Sequence, residues 1–262
     1  ERLRLPCATV NIIAAGEFIR PEYVAPPLDQ VRADHGLPPD PGLARPGCAL
    51  FLSPFPPGYP APAYPRPSST QFYRMPHFGG ALAKPIAQWL TGRRKRPLVY
   101  FTLGTVYAME SGDLFPRALA ALRGLPVDVV VTVGRDLDPA ELGAQPDNIH
   151  VTHTIPQDAL LPHCDLVICH GGSGSVLGAM RHGLPVVLLP MGADQPLNGA
   201  RCAELGLGLT LDPMTASLEA IRTAISTALH DGRYRAVARR MQAEIDGLPG
   251  LDHALTRLED CA

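Results

Sequence analysis

Residues 165–195 read DLVICHGGSGSVLGAMRHGLPVVLLPMGADQ. The run of residue types predicts a buried strand over 165–169, a glycine-rich turn, a helix over 174–182, a second buried strand over 185–190 and a polar loop. The first N–H groups of a helix have no intrahelical acceptor and carry a partial positive charge. The turn His170-Gly171-Gly172-Ser173-Gly174-Ser175 is therefore a seat for phosphate. Its glycines let a ligand approach the main chain. Ser173 and Ser175 carry hydroxyl donors, and His170 offers an imidazole N–H, a better donor if protonated. After the second strand come Asp194 and Gln195, a carboxylate and an amide suited to vicinal sugar hydroxyls. A diphosphate beside a sugar points to a nucleotide-sugar. Each element also has a plainer reading: a tight turn with a serine N-cap, and a helix beginning at Gln195-Pro196 that Asp194 caps. The turn is not a dinucleotide fingerprint, because Leu177 stands where GxGxxG needs its third glycine, and no GK[ST] marks a P-loop.

Upstream and downstream of this stretch, from Pro97 onward, the same grammar repeats. Strands are expected at 98–103, 127–133, 148–153 and 207–211, with helices at 112–123, 157–162, 195–205, 217–230, 232–246 and 251–259. Continuous apolar strands alternating with helices predict an α/β domain, a doubly wound parallel sheet covered on both faces. Such sheets take ligands at the C-terminal ends of their strands. Five loops fall there, at 103–107, 134–138, 153–158, 170–175 and 190–196. In the first, Gly104 permits a sharp exit and Thr105 can touch phosphate or sugar. In the third, Thr154-Ile155-Pro156-Gln157 exposes main-chain groups that can read a base edge, Gln157 helping; its plainer reading is a proline-started helix.

The N-terminal part is different in kind. Residues 21–67 hold 14 of the 29 prolines, poor territory for long helices or central strands. Short strands near 9–13, 49–53 and 71–74 and helices near 28–35 and 83–90 fit instead. The basic run Arg93-Arg94-Lys95-Arg96 reads as a solvated linker. The chain is 262 residues long, 46% hydrophobic and carries a formal charge of −2, enough for a sizeable core and without the basic excess of a nucleic-acid binder. Six scattered cysteines with no CxxC pair argue against a zinc or redox motif and for a reduced, cytoplasmic setting. No apolar run approaches a membrane span. ERLRLPCATVNII reads as the tail of a helix entering a strand, so the natural N-terminus is expected to lie further upstream. His150 and His153 on a strand point to opposite faces and are not expected to share a metal. His77, His163, His182, His230 and His253 show no partner in sequence, most being expected at the surface.

Taken jointly, VYFTLGT (99–105), IPQDALLPHCD (155–165), HGGSGS (170–175), HGLPVVLLPMGADQPLNGARCAELGLGL (182–209) and YRAVARRMQAEIDGLPG (234–250) form an ordered series. The series resembles the nucleotide-sugar-binding half of GT-B fold glycosyltransferases of family 1, the UDP-glycosyltransferase and macrolide or natural-product group. The resemblance implies that His170, Gly172, Ser173, Gly174 and Ser175 bind the diphosphate and that Thr105 contacts phosphate or sugar. Thr154, Ile155 and Gln157 would frame base and ribose, and Asp194 and Gln195 would hold the donor sugar. It further implies inverting transfer from a UDP- or dTDP-sugar to a hydroxyl of a lipophilic small molecule, with no metal and no cofactor. Two positions depart from the pattern. Thr154 stands where many relatives stack an aromatic residue on the base, and Gly178 where many grip ribose with a glutamate. The same likeness makes 1–92 the end of an N-terminal acceptor domain with its linker and 97–262 the donor domain, the catalytic base being expected in an absent N-terminal segment. A non-catalytic partner of another glycosyltransferase, or a GT-B epimerase or phosphorylase, remain the alternatives.

Overall fold

The computed structural model describes residues 6–13, 21–43, 50–92, 95–104 and 111–261. Two compact units emerge, one of residues 1–76 with 244–262 and one of residues 77–243.

In the first unit, β1 (Ala8–Val10), β2 (Leu50–Ser53) and β3 (Thr70–Phe72) form a parallel sheet in that order, with Thr9 opposite Phe51 and Leu52 opposite Gln71. Between β1 and β2 runs α1 (Pro21–Asp34), a 14-residue helix that begins seven residues before the expected start and includes Pro26 and Pro27. Proline composition hid this first half. Pro21 opens the helix, where a missing N–H costs nothing, while the exposed Pro26 and Pro27 remove two amide donors inside it.

The second unit starts with α2 (Lys84–Thr91), whose Trp89 donates its indole N–H to Asp147 O (3.2 Å) and packs on His150, ring centroids 5.6 Å apart. A six-stranded sheet follows: β4 (Leu98–Thr102), β5 (Asp128–Thr132), β6 (Ile149–Thr152), β7 (Leu166–Cys169), β8 (Val186–Leu188) and β9 (Gly208–Thr210). Every pairing is parallel and the spatial order is β6-β5-β4-β7-β8-β9. This is the doubly wound α/β arrangement expected. Strand residues facing one way (Val129, Val131, Ile168, Val187) and the other (Val130, Val167, Val186) are alike almost fully buried. Both faces are covered, which is why these strands read as unbroken apolar runs.

The connecting helices are α3 (Leu114–Arg123), α4 (Gln157–Leu160), α5 (Ser173–Arg181) and α6 (Gln195–Leu205). A short 3₁₀ turn at Pro139–Leu142, closed by an Asp138/Glu141 capping box, escaped sequence reading because four residues carry no period. After β9, α7 (Leu218–His230) packs beside α3 over one face of the sheet. Then α8 (Gly232–Asp246) runs from the second unit into the first, and α9 (Leu251–Cys261) sets Ala254 and Leu258 against Leu50, Leu52 and Tyr73.

Two boundaries therefore differ from the expectation of 1–92 and 97–262. The linker helix α2 belongs with the sheet that Trp89 is tied to, and the last helix returns to the N-terminal sheet because its apolar stripe covers β2. Among the described residues no helix is long and apolar enough to cross a membrane. Cys164 and Cys169 are buried core residues, and burial pushes the Cys169 thiol up to about 12.

Gly208 is fixed by its neighbour. A Cβ there would run into the carbonyl of Val186, the residue it faces on β8. Gly208→Ala is expected to lower stability by about 2 kcal/mol, read as a shifted urea midpoint at unchanged slope.

Candidate functional site

The strand order reverses at β4 and β7: from β4 the chain winds outward through β5 and β6, from β7 through β8 and β9. In sheets of this kind ligands bind at the C-terminal edge where the strand order reverses. The loop after β7 leaves that edge with Gly171 at φ 85°, a left-handed conformation that favours glycine. Gly172 is the N-cap of α5 and has no side chain to cap the first turn. The serine cap is thus not used, and the amide end of α5 carries no side-chain cap. A Cβ on Gly174 would meet nothing within 4 Å, so the main chain there is open to approach.

His170 lies half-buried behind this turn, between two glycines. A Cβ on Gly104, itself at φ 77°, would sit 2.7 Å from the imidazole Cε1, and one on Gly172 would collide with Nε2. Both glycines make room for the ring. Its Nδ1 is buried and has no hydrogen-bond partner. Burial pushes the imidazole pKa down, and the nearby Asp194 carboxylate opposes this more weakly. The ring is therefore held toward the neutral form, in contrast to the protonated donor considered from sequence, and keeps a single N–H.

Because β7 and β8 are adjacent and parallel, the loop following β8 arrives beside the turn following β7. Ser173 Oγ donates to Asp194 Oδ2 at 2.5 Å. Asn198, fully buried on α6, lies under both: its Nδ2 is 2.9 Å from Gly171 O, 3.0 Å from Asp194 Oδ2 and 3.2 Å from Ser173 Oγ. Asp194 is the N-cap residue of α6 by position but makes no side-chain cap. Its carboxylate points across to the other loop instead. Sequence reading missed Asn198, although its place one helical turn after Asp194 was a usable signal.

Gln195 is engaged within its own loop. It is buried, and its Oε1 accepts from Met191 N (2.8 Å) and Gly192 N (3.2 Å). The carbonyl end thus shapes the loop. Ala193 in that loop has φ 52°, a strained value for a residue with a Cβ, and the two bonds to Gln195 help hold it.

On the β6 side, Thr154 is exposed, Ile155 half-buried, and Gln157 opens α4. Gln157 Nε2 lies 3.5 Å from the hydroxyl of Tyr100, which is 2.9 Å from Thr132 Oγ1. This chain of contacts, invisible in sequence, ties the loop to β4 and β5. Burial raises the Tyr100 phenol pKa, so the hydroxyl stays protonated. Gly178 is buried in α5, where a Cβ would lie 3.2 Å from Leu161 Cδ1 and 3.5 Å from Gln157 Oε1. Position 178 is thus packed against α4 and the residue that follows it. Ser175 is half-buried on the first turn of α5. Thr105 lies outside the described residues. His150 faces Trp89, while His153 Nδ1 faces Gly134 O at 3.3 Å, so the two do not converge.

Turn, carboxylate and uncapped helix thus lie together at the C-terminal edge of a doubly wound α/β sheet. The family model of the erythromycin biosynthesis protein CIII-like C-terminal domain matches residues 117–259, more than half of the chain, and the chain belongs to that family. The tylactone mycaminosyltransferase of Streptomyces fradiae is 35% identical over 195 residues, 71% of this chain and 42% of the relative. The demethyllactenocin mycarosyltransferase of the same organism is 33% identical over 172 residues, 64% of this chain and 37% of the relative. The chain thus spans about two fifths of the length of these curated relatives. Among solved structures, the calicheamicin glycosyltransferase CalG4 superposes with a TM-score of 0.81 at 25% identity, covering 99% of this chain and 68% of that one.

Two outcomes test the site's construction. Asn198→Leu removes the side-chain amide donor from Gly171 O and leaves the Asp194 carboxylate with the Ser173 hydroxyl, and is expected to cost about 2–3 kcal/mol in urea unfolding. The second concerns acid. With its folded pKa below the unfolded value of about 6.5, His170 binds fewer protons folded than unfolded. Its contribution is fully present above pH 6.5 and is lost as pH falls from there through the folded value. Unfolding at pH 7.5 and 5.5 is expected to show a smaller acid loss in His170→Gln than in the parent. His150, shifted the same way by burial, accounts for part of the loss the variant retains.

Proposed function

We propose that the protein is a glycosyltransferase that moves a sugar from a dTDP- or UDP-sugar to a hydroxyl of a lipophilic, natural-product-like acceptor, with inversion and without a catalytic metal. The observation that carries this reading is the 2.5 Å contact of Ser173 with Asp194. It sets a carboxylate able to accept from sugar hydroxyls directly beside a helix N-terminus able to hold a diphosphate. The relatives named as sugar transferases support the reaction class, and the structure of VinC in complex with dTDP (TM-score 0.70, 26% identity, 91% of this chain, 58% of that one) supports a nucleoside diphosphate as the donor's carrier.

In this reading the first amides of α5, with Gly172, Ser173, Gly174 and Ser175, bind the diphosphate, and Thr105 completes that contact. Thr154, Ile155 and Gln157 frame base and ribose. Asp194 accepts from the sugar hydroxyls and the NH₂ end of Gln195 donates to them. As the acceptor oxygen bonds to the anomeric carbon from the opposite face, the bond from that carbon to the diphosphate oxygen breaks and its electron pair stays on the leaving group. The developing charge lies against the positive end of α5 and within reach of the neutral imidazole N–H of His170, which supply electrostatic stabilisation. With threonine at 154 and no carboxylate at 178, neither an aromatic stack nor a glutamate clamp reads the nucleoside. The reading assigns the acceptor pocket and the general base to the acceptor half, of which the first unit is the end, and places the enzyme in the cytoplasm.

The test is calorimetry with dTDP, UDP and their sugar conjugates. His170→Ala is expected to weaken the bare diphosphate. Asp194→Ala is expected to weaken the sugar-bearing donor about tenfold or more while sparing the bare diphosphate, the scale of a hydrogen bond to a charged group. Equal losses for both ligands in the Asp194 variant would remove that residue's role. Binding of neither dTDP nor UDP by the parent protein would sink the proposal.

A further inference from the structure

Away from the diphosphate turn, two histidines that showed no partner in sequence come together with a carboxylate. His77, Asp158 and His182 each offer one ligand atom, and these atoms lie within 4.8 Å of one another, the one such group among the described residues. His77 Nδ1 is 4.0 Å from Asp158 Oδ2, and the two imidazole rings are 5.8 Å apart between centroids. The three come from the segment entering the second unit, the start of α4 and the C-cap of α5.

We propose that these residues bind one divalent transition cation of the zinc type, which clamps segment 77–80 to the loop that precedes α4. Two imidazoles and a carboxylate suit zinc, cobalt or nickel and are a poor set for magnesium or calcium. Ligand atoms around a tetrahedral zinc stand about 3.3 Å apart, given bonds near 2.0–2.1 Å. The group must contract, and His77, with 65% of its side chain exposed, is free to turn inward. Asp158 is already oriented: its Oδ2 accepts the Phe78 N–H at 3.0 Å, and Arg181 stands 3.7 Å from its Oδ1. The arginine leaves Oδ2 for a single bond to the cation and reduces affinity by its own charge. Acting the other way, His182 ends α5, where the terminal carbonyls carry partial negative charge. The clamp has a target, because Gly80, at φ 115°, lies so close over Pro156 that a Cβ on it would come within 2.9 Å of the proline Cβ. A bound cation would hold that contact, and with it the loop carrying Thr154, Ile155 and Gln157. This site is remote from the bond-breaking step and independent of whether sugar transfer is the reaction.

Cobalt(II) titration of the whole chain, followed by visible absorption and by calorimetry, tests this. One equivalent is expected to bind with the d–d bands of nitrogen and oxygen ligation and to raise the unfolding temperature. His77→Ala, at an exposed position, is expected to keep the fold and weaken binding at least about tenfold. Asp158→Asn is expected to weaken it as well. No binding overturns the proposal, as does binding that survives His77→Ala. A thiolate-to-cobalt charge-transfer band also overturns it, since it would assign the metal to a cysteine such as the exposed Cys7.

Discussion

Parallel adjacency of β7 and β8 is the constraint from which the site follows. Ser173 and Asp194, 21 residues apart in the chain, are delivered to one spot because Cys169 faces Leu188 across the ladder and both strands end there. A one-residue change of register would move each loop by about 3.3 Å and break a 2.5 Å contact. The side-chain knot then refines what the sheet sets coarsely. One buried amide, Asn198, lies beneath a main-chain carbonyl, a hydroxyl and a carboxylate, so neither loop can shift without leaving a buried polar group unsatisfied.

The imidazole of His170 shows how packing selects a protonation state. Room for the ring comes from two residues without side chains, one on its own loop and one after β4. Enclosure by backbone and apolar groups disfavours charge, and a nearby carboxylate restores part of it. The result is a neutral imidazole with one N–H, held by its surroundings rather than by a hydrogen bond to Nδ1.

The sheet was readable because burial on both faces writes each strand as a plain apolar run, as in LVYFT and DVVVT. The turn at 170–175 and the pair Asp194-Gln195 were readable because strand ends in a parallel sheet share an edge. What stayed hidden has specific causes. The first half of α1 was masked by prolines that tolerate a helix start, and the 3₁₀ turn at Pro139–Leu142 is too short to show a period. Gln195 is of a type that suits sugars, and nothing in its sequence context marks that its carbonyl accepts from main-chain amides. Tyr100 with Gln157, and His77 with His182, are separated by 57 and 105 positions, and nothing local marks such pairs.

The passage of α8 from one unit into the other makes the first unit discontinuous in sequence. Its sheet is built from the early chain but covered by the last helix, where Ala254 rests on Leu50, Leu52 and Tyr73. A chimaera made with one crossover after Pro76 would therefore bring together a sheet and a lid of different ancestry, and their apolar surfaces would have no shared history of fitting. Gene shuffling within this family is compatible with an intact N-terminal core only when a second exchange, near residue 244, returns the final helix to its original sheet.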